Sequence, residues 1–254
     1  MKGFRMKGTI IEKVVDDREI FIYLPPSYDT SDRLYPVIYI QDGNTFKAIF
    51  DQIIDELEKN AQNQSIDEHI IVGITPIDRL NEYTPWYAKA NHEKFHDFGG
   101  QGDKYLKYLE FELSNYLEKE FKIKKGKQYK KILGHSLGGL ISIYSVFQNN
   151  NYSKVVGICA SQWYQGWIDF IGKEKIINDD FQILFIAGEK EGHDKTTIQK
   201  NAPKCSALSF KIFKTRLDKD KVKMVWDEFD HHENLINRYK VGFLFLMQND
   251  KKII

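Results

Sequence analysis

The stretch Lys130-Lys131-Ile132-Leu133-Gly134-His135-Ser136-Leu137-Gly138-Gly139 sets one hydroxyl between two glycines, after an apolar run and before a helical pattern over 137–147. A chain that turns this sharply from strand into helix strains the serine backbone, and glycine on either side removes the β-carbons that would collide there. The Oγ of Ser136 is then presented as a nucleophile. The first amide of the following helix, that of Leu137, and the helix dipole would stabilise a developing oxyanion. G-x-S-x-G alone also marks ordinary turns and helix caps. The strand before it and the helix after it make acyl transfer to Ser136 the expected chemistry.

Such a serine needs a base and an acid, and on a nucleophile elbow they follow in the order Ser, acid, His. Downstream of Ser136 stand His193, His231 and His232. His193 comes too early for the base. The pair follows the apolar run 222–229 and precedes a helical pattern beginning near Leu235, so one of the two is expected to be the base. Adjacent side chains do not readily converge on one ion and no third ligand is nearby in sequence, so no metal is assigned. The acid is expected in Gly188-Glu189-Lys190-Glu191-Gly192-His193-Asp194, where three carboxylates compete and spacing does not choose among them.

The elements that must carry these residues are legible as periodicity. Runs rich in β-branched and aromatic residues predict strands over 9–15, 19–24, 37–40, 69–74, 131–133, 155–160, 182–187 and 222–229. Between them lie helical spacings such as Phe46, Ile49, Phe50, Ile53, Ile54, Leu57 and Leu106, Leu109, Leu113, Tyr116, Leu117. Two opening strands followed by strand-helix alternation predict one α/β domain over 1–254. Its sheet should be mostly parallel, antiparallel at its start and helix-covered on both faces, without a large cap domain. The segment 75–103 has little periodicity but carries Tyr83, Trp86, Tyr87, Phe95 and Phe98, the composition of a packed wall. Within it Arg79 is read either as a partner for a substrate carboxylate or phenolate, or as an internal partner of Glu82. Trp86, Tyr87, Trp163 and Trp167 would suit an aryl or extended apolar substrate, or simply fill core.

Composition removes other classes. Lys plus Arg number 37 against 36 for Asp plus Glu, a net charge of +1 that supplies no field for nucleic acid or an anionic membrane. Cys159 and Cys205 form no disulfide framework or metal cluster, which fits a reducing compartment. No run approaches the length of a membrane span or signal peptide, and a cytoplasmic location is expected.

With these residues in place, the chain resembles the putative-esterase family of α/β-hydrolases that includes enterochelin and bacillibactin esterases and esterase D. The resemblance rests on the elbow, on Tyr39-Ile40-Gln41-Asp42-Gly43, on Arg79-Leu80-Asn81-Glu82-Tyr83-Thr84-Pro85-Trp86, and on Gly99-Gly100 before the helical run 105–113. It implies Glu191 as the acid and the Asn44 amide as a second oxyanion donor beside Leu137. It favours His231 as the base through its His-x-acid pattern, with His232-Glu233 as the alternative. It also implies that Ser161-Gln162-Trp163-Tyr164 lines the pocket. The expected activity is cofactor-free hydrolysis of a small-molecule carboxylic ester through an acyl-enzyme on Ser136. Arg79, Trp86 and Trp163 are expected at the substrate. An acyltransferase or a siderophore trilactone hydrolase with the same triad are the alternatives, and the oligomeric state is left open.

Overall fold

A computed structural model describes residues 6–248. Its strands in chain order are β1 (Thr9–Val15), β2 (Arg18–Leu24), β3 (Val37–Gln41), β4 (Ile70–Ile74), β5 (Tyr87–Ala88), β6 (Phe98–Gly99), β7 (Lys130–His135), β8 (Lys154–Ile158), β9 (Gln182–Gly188) and β10 (Val222–Asp227). The helices are α1 (Gly43–Lys47), α2 (Asp51–Gln62), α3 (Arg79–Glu82), α4 (Gly102–Lys107), α5 (Ser114–Glu120), α6 (Leu137–Gln148), α7 (Trp167–Lys173), α8 (Ala202–Arg216) and α9 (Leu235–Met247).

β3, β4 and β8 are buried at every position, as strands covered on both faces must be, and their sequences are correspondingly apolar apart from Gln41 at the end of β3 and Lys154 at the start of β8. β1 lies at the sheet edge, and six of its seven residues keep some exposure. Its hairpin to β2 turns on Asp16 and Asp17, both at positive φ (48° and 62°), the twist a two-residue β-turn needs. The eight-stranded sheet runs β1-β2-β4-β3-β7-β8-β9-β10, with β1 and β2 antiparallel and every pairing from β4 to β10 parallel. The expected mostly parallel sheet with antiparallel strands at its start is therefore the observed one.

α1, α2 and α9 cover one face, where Phe46, Phe50, Leu57, Tyr239 and Phe243 pack on Ile38 and Ile40. The other face lies under α4 to α8, with Leu106, Leu140, Trp167 and Phe213. The helical run expected over 105–117 is α4 and α5 joined by one π-helical segment, Tyr108–Leu113. The last strand ends at Asp227 instead of Phe229, because the Asp227 carboxylate accepts a hydrogen bond from the Phe229 amide and turns the chain. Asp42, Ser136, Ser161, Glu191 and His231 each follow the carboxyl end of a parallel strand, the edge where sheets of this kind bind ligands.

Candidate active site

The turn from β7 into α6 holds Ser136 at φ 59°, ψ −122°, a conformation that L-residues adopt only when their surroundings impose it. The backbone imposes it here. The Ser136 amide donates to the Ile158 carbonyl at 2.9 Å, and its own carbonyl accepts from Leu140 and Ser161 at 3.0 Å each. A β-carbon on Gly134 would stand 2.2 Å from the Gly138 carbonyl oxygen, so the close crossing of strand and helix requires glycine.

The Ser136 Oγ lies 3.0 Å from His231 Nε2, and His231 Nδ1 lies 3.0 Å from Glu191 Oε2. A carboxylate only accepts, so the proton sits on Nδ1 and Nε2 offers its lone pair to the serine hydroxyl. The other Glu191 oxygen accepts from the Gly188 amide at 2.8 Å, which anchors a carboxylate that is 3 % exposed. Of the three competing acids, Asp194 is exposed beside His193 and Glu189 is exposed at the start of the loop. Glu191 alone reaches the imidazole among the bonds described.

His232 stands next to His231 with their ring centroids 4.7 Å apart, and takes part in none of the hydrogen bonds just described. His135, the residue before the nucleophile, brings a third ring, centred 4.7 Å from His231 and 5.9 Å from His232. Its Nε2 lies 3.1 Å from the His231 carbonyl. Burial, reinforced by the neighbouring His231, holds His135 well below the usual imidazole pKa and lowers His232 in the same direction. The sequence neighbourhood of His231 and His232 contained no third ligand. The fold supplies one from 96 positions upstream of His231.

The loop that carries His231 is held by a residue that the sequence pattern does not single out. Arg238, 1 % exposed in α9, donates through Nε and Nη2 to both oxygens of Asp227 and through Nη1 to the Asp230 carbonyl at 3.0 Å. Longer bonds of 3.3 Å reach the carbonyls of Phe229 and His231, and the Cys159 Sγ lies 2.9 Å from Nη1. The signal was present as an arginine in the first turn of the largely apolar run Leu235–Met247, eleven positions after its acid partner Asp227. Cys159 and Cys205 are both free thiols.

A cleft of about 580 Å³ opens above these residues. The segment 75–103 contributes Arg79, Leu80, Phe95 and Phe98 to one wall, as its aromatic content predicts, and Trp163 lies beside Ser161 at the floor. The opposite wall, Lys195 to Thr197 with Gln199, was not anticipated, since nothing in its polar composition distinguishes it from a surface loop. Arg79 reaches the cleft already paired: Nε and Nη2 bond the two Asp42 oxygens at 2.7 and 2.9 Å. Glu82, the internal partner considered for it, is instead held by Arg18 at 2.7 and 2.8 Å. Trp86 is a correction. Its ring packs on Phe170 and Tyr164, and its indole N–H is used on the Gln165 carbonyl at 2.8 Å, so it supports the wall from behind instead of lining the cleft. Leu137 lines the cleft, while Asn44 is exposed in the first turn of α1, where helix amides have no intrahelical acceptor.

Comparison with known proteins decides the family. Residues 11–225 match the family model described as "Putative esterase". The chain belongs to this family. It is 33 % identical over 197 residues to the Bacillus subtilis protein YbbA, covering 77 % of this chain and 78 % of that protein. It is 24 % identical over 224 residues to the ferri-bacillibactin esterase BesA of the same organism, covering 79 % and 76 %. In fold it is similar to an IroE-like serine hydrolase from Shewanella oneidensis, with a TM-score of 0.76 and 20 % identity over 93 % of this chain and 78 % of the other. The chain is thus an esterase with the α/β-hydrolase fold. Among the described residues no helix is long and apolar enough to cross a membrane.

Proposed function

We propose that this esterase hydrolyses a small-molecule carboxylic ester through an acyl-enzyme on Ser136, with His231 as base and Glu191 as the acid that orients it. The observation that carries the reading is the single imidazole spanning Ser136 Oγ and Glu191 Oε2 at 3.0 Å on each side. His231 takes the hydroxyl proton as Oγ attacks the ester carbonyl, then returns it to the leaving alcohol. A water deprotonated by the same ring releases the acid and restores the serine. The Leu137 and Asn44 amides are the proposed oxyanion donors, both in first turns of helices that follow neighbouring parallel strands. No step calls for a cofactor.

The test is turnover of a p-nitrophenyl ester. Ser136→Ala and His231→Ala should each lower kcat by about 10⁴-fold or more, and the double variant should be little worse, because triad members act as a unit. Glu191→Gln should lose more than Glu189→Gln or Asp194→Asn. A folded Ser136→Ala protein with full activity would eliminate the mechanism. Similarity to BesA favours one narrower substrate reading, a siderophore lactone. A trilactone cleaved no faster than the simple aryl ester would count against it. Product analysis with added alcohol separates hydrolysis from acyl transfer.

A further inference from the structure

His231 and His232 line the cleft with His135 packed against them, and the three imidazoles form a set that the esterase reaction does not use as a set. One ring nitrogen from each of His135, His231 and His232 lies within 4.8 Å of the other two. Two of the rings are already oriented as metal-bound imidazoles are, with one ring N–H given to a carboxylate or carbonyl so that the other nitrogen keeps its lone pair. His231 directs Nδ1 to Glu191, and His135 directs Nε2 to the His231 carbonyl. The third, His232, is exposed and has no hydrogen bond to any described residue, so its ring is free to swing. A tetrahedral ion with bonds of about 2.0–2.1 Å needs its donor nitrogens roughly 3.4 Å apart, so binding draws the three rings together, with the exposed His232 having the most room to move.

We propose that His135, His231 and His232 form an inhibitory site for a late first-row divalent cation of the zinc class, which switches the esterase off by occupying the nitrogen that serves Ser136. Three neutral nitrogen donors with a fourth position open to water suit zinc, copper or nickel and not magnesium or calcium. The three ring nitrogens replace water ligands of the hydrated ion, and the bond from His231 Nε2 to the ion replaces its hydrogen bond to Ser136 Oγ. The serine stays a hydroxyl, with the Ser161 hydroxyl 3.4 Å away but no base to take its proton. The inhibitory consequence rests on His231 being the base. The existence of the site does not.

The experiment therefore reads binding and turnover separately, on the full chain stripped with a chelator. Calorimetric titration with Zn²⁺ should give one ion per chain, and p-nitrophenyl ester turnover should fall to near zero at the same stoichiometry and recover with EDTA. Mg²⁺ and Ca²⁺ should do neither. His232→Asn, at an exposed position outside the core, should weaken both binding and inhibition by more than about tenfold, each judged against that variant's own metal-free rate. His135→Asn should act in the same direction, whereas the exposed His193→Asn should bind like the parent. Absence of binding, or binding equally strong in His232→Asn and His135→Asn, overturns the site. One ion bound through these histidines with undiminished turnover overturns the inhibition, and it would indict the assignment of His231 together with it.

Discussion

Ser136 is held by backbone and His231 by side chains. The nucleophile's conformation is enforced by three main-chain hydrogen bonds and by the contact of Gly134 with Gly138, all within or directly against β7, β8 and α6. The base sits in the half-exposed loop after β10, whose carbonyls at Phe229, Asp230 and His231 are gathered by the one guanidinium of Arg238, itself braced on Asp227. A backbone device tolerates almost no substitution but needs no distant partner. A side-chain device can be weakened in steps, and its failure should appear in catalysis as well as in folding.

The comparison breaks most visibly at Gly134. A β-carbon there meets the Gly138 carbonyl oxygen at 2.2 Å and its carbonyl carbon at 2.3 Å, both backbone atoms with no rotamer to yield. Gly134→Ala should cost about 3 kcal/mol of stability, read as a fall in the urea midpoint, with activity lost in what remains folded. A variant as stable as the parent would mean that the elbow is held more loosely than its geometry implies.

Arg238 tests the other half. Arg238→Met removes a buried cation, takes the charged partner from Asp227 and takes a donor from the carbonyls of Phe229 and Asp230, which should also cost about 3 kcal/mol. Unlike an effect on folding alone, it should lower kcat by about 10²-fold at a temperature where the protein is still folded, with KM changed far less, because a displaced imidazole no longer spans Ser136 and Glu191. Arg238→Lys should recover only part of this, since an ammonium lacks the planar fork that grips both Asp227 oxygens. Normal kcat in a destabilised Arg238→Met protein would make the arginine a brace for the fold and not for the base.

The same contrast explains what could be read before the structure. The elbow is a local device, so strand, glycines and helix stand in one ten-residue string, and the mainly apolar runs of β3, β4 and β8 announce a sheet covered on both faces. The His231 loop is not local: its clamp lies in α9, the thiol that clamp touches follows β8, and the third imidazole comes from β7. Three acids in one loop look alike in sequence, and Glu191 differs only in being folded inward onto the Gly188 amide. The far wall of the cleft and α8 were missed because Lys204, Lys211 and Lys214 dilute any apolar stripe. Trp86 was misjudged because a tryptophan beside a cleft and one behind its wall have the same sequence signature.

Protonation sharpens the comparison more gently. His135 in the elbow and His69, buried at the foot of the sheet, are both held well below the usual imidazole pKa, by burial first and then by His231 and Lys131 respectively. Both are neutral in the folded chain, while the unfolded chain takes up protons below about pH 6.5. The unfolded state then binds more protons, so stability present above that pH should decline as pH falls below it. The urea midpoint should be lower at pH 5.5 than at pH 7.5, and His69→Asn should flatten the difference. Equal midpoints in the parent would show that neither ring is kept neutral by the fold.

The smallest effect is expected at His232, where the question is whether proximity to the base amounts to a share in it. Its ring lies 4.7 Å from that of His231 at an interplanar angle of 81°, an edge contact, and it donates to or accepts from none of the described residues. A base must reach the proton it removes, and the serine hydroxyl already has His231 Nε2 at 3.0 Å. His232→Ala therefore removes packing from the edge of the imidazole without removing an acceptor, and metal-free turnover should fall by less than about tenfold, on the order of one hydrogen bond. If His232→Ala were instead as inactive as Ser136→Ala while His231→Ala kept its rate, the base would move by one residue. The Arg238 clamp, which grips the carbonyls on the His231 side of the loop, would then be positioning the wrong ring.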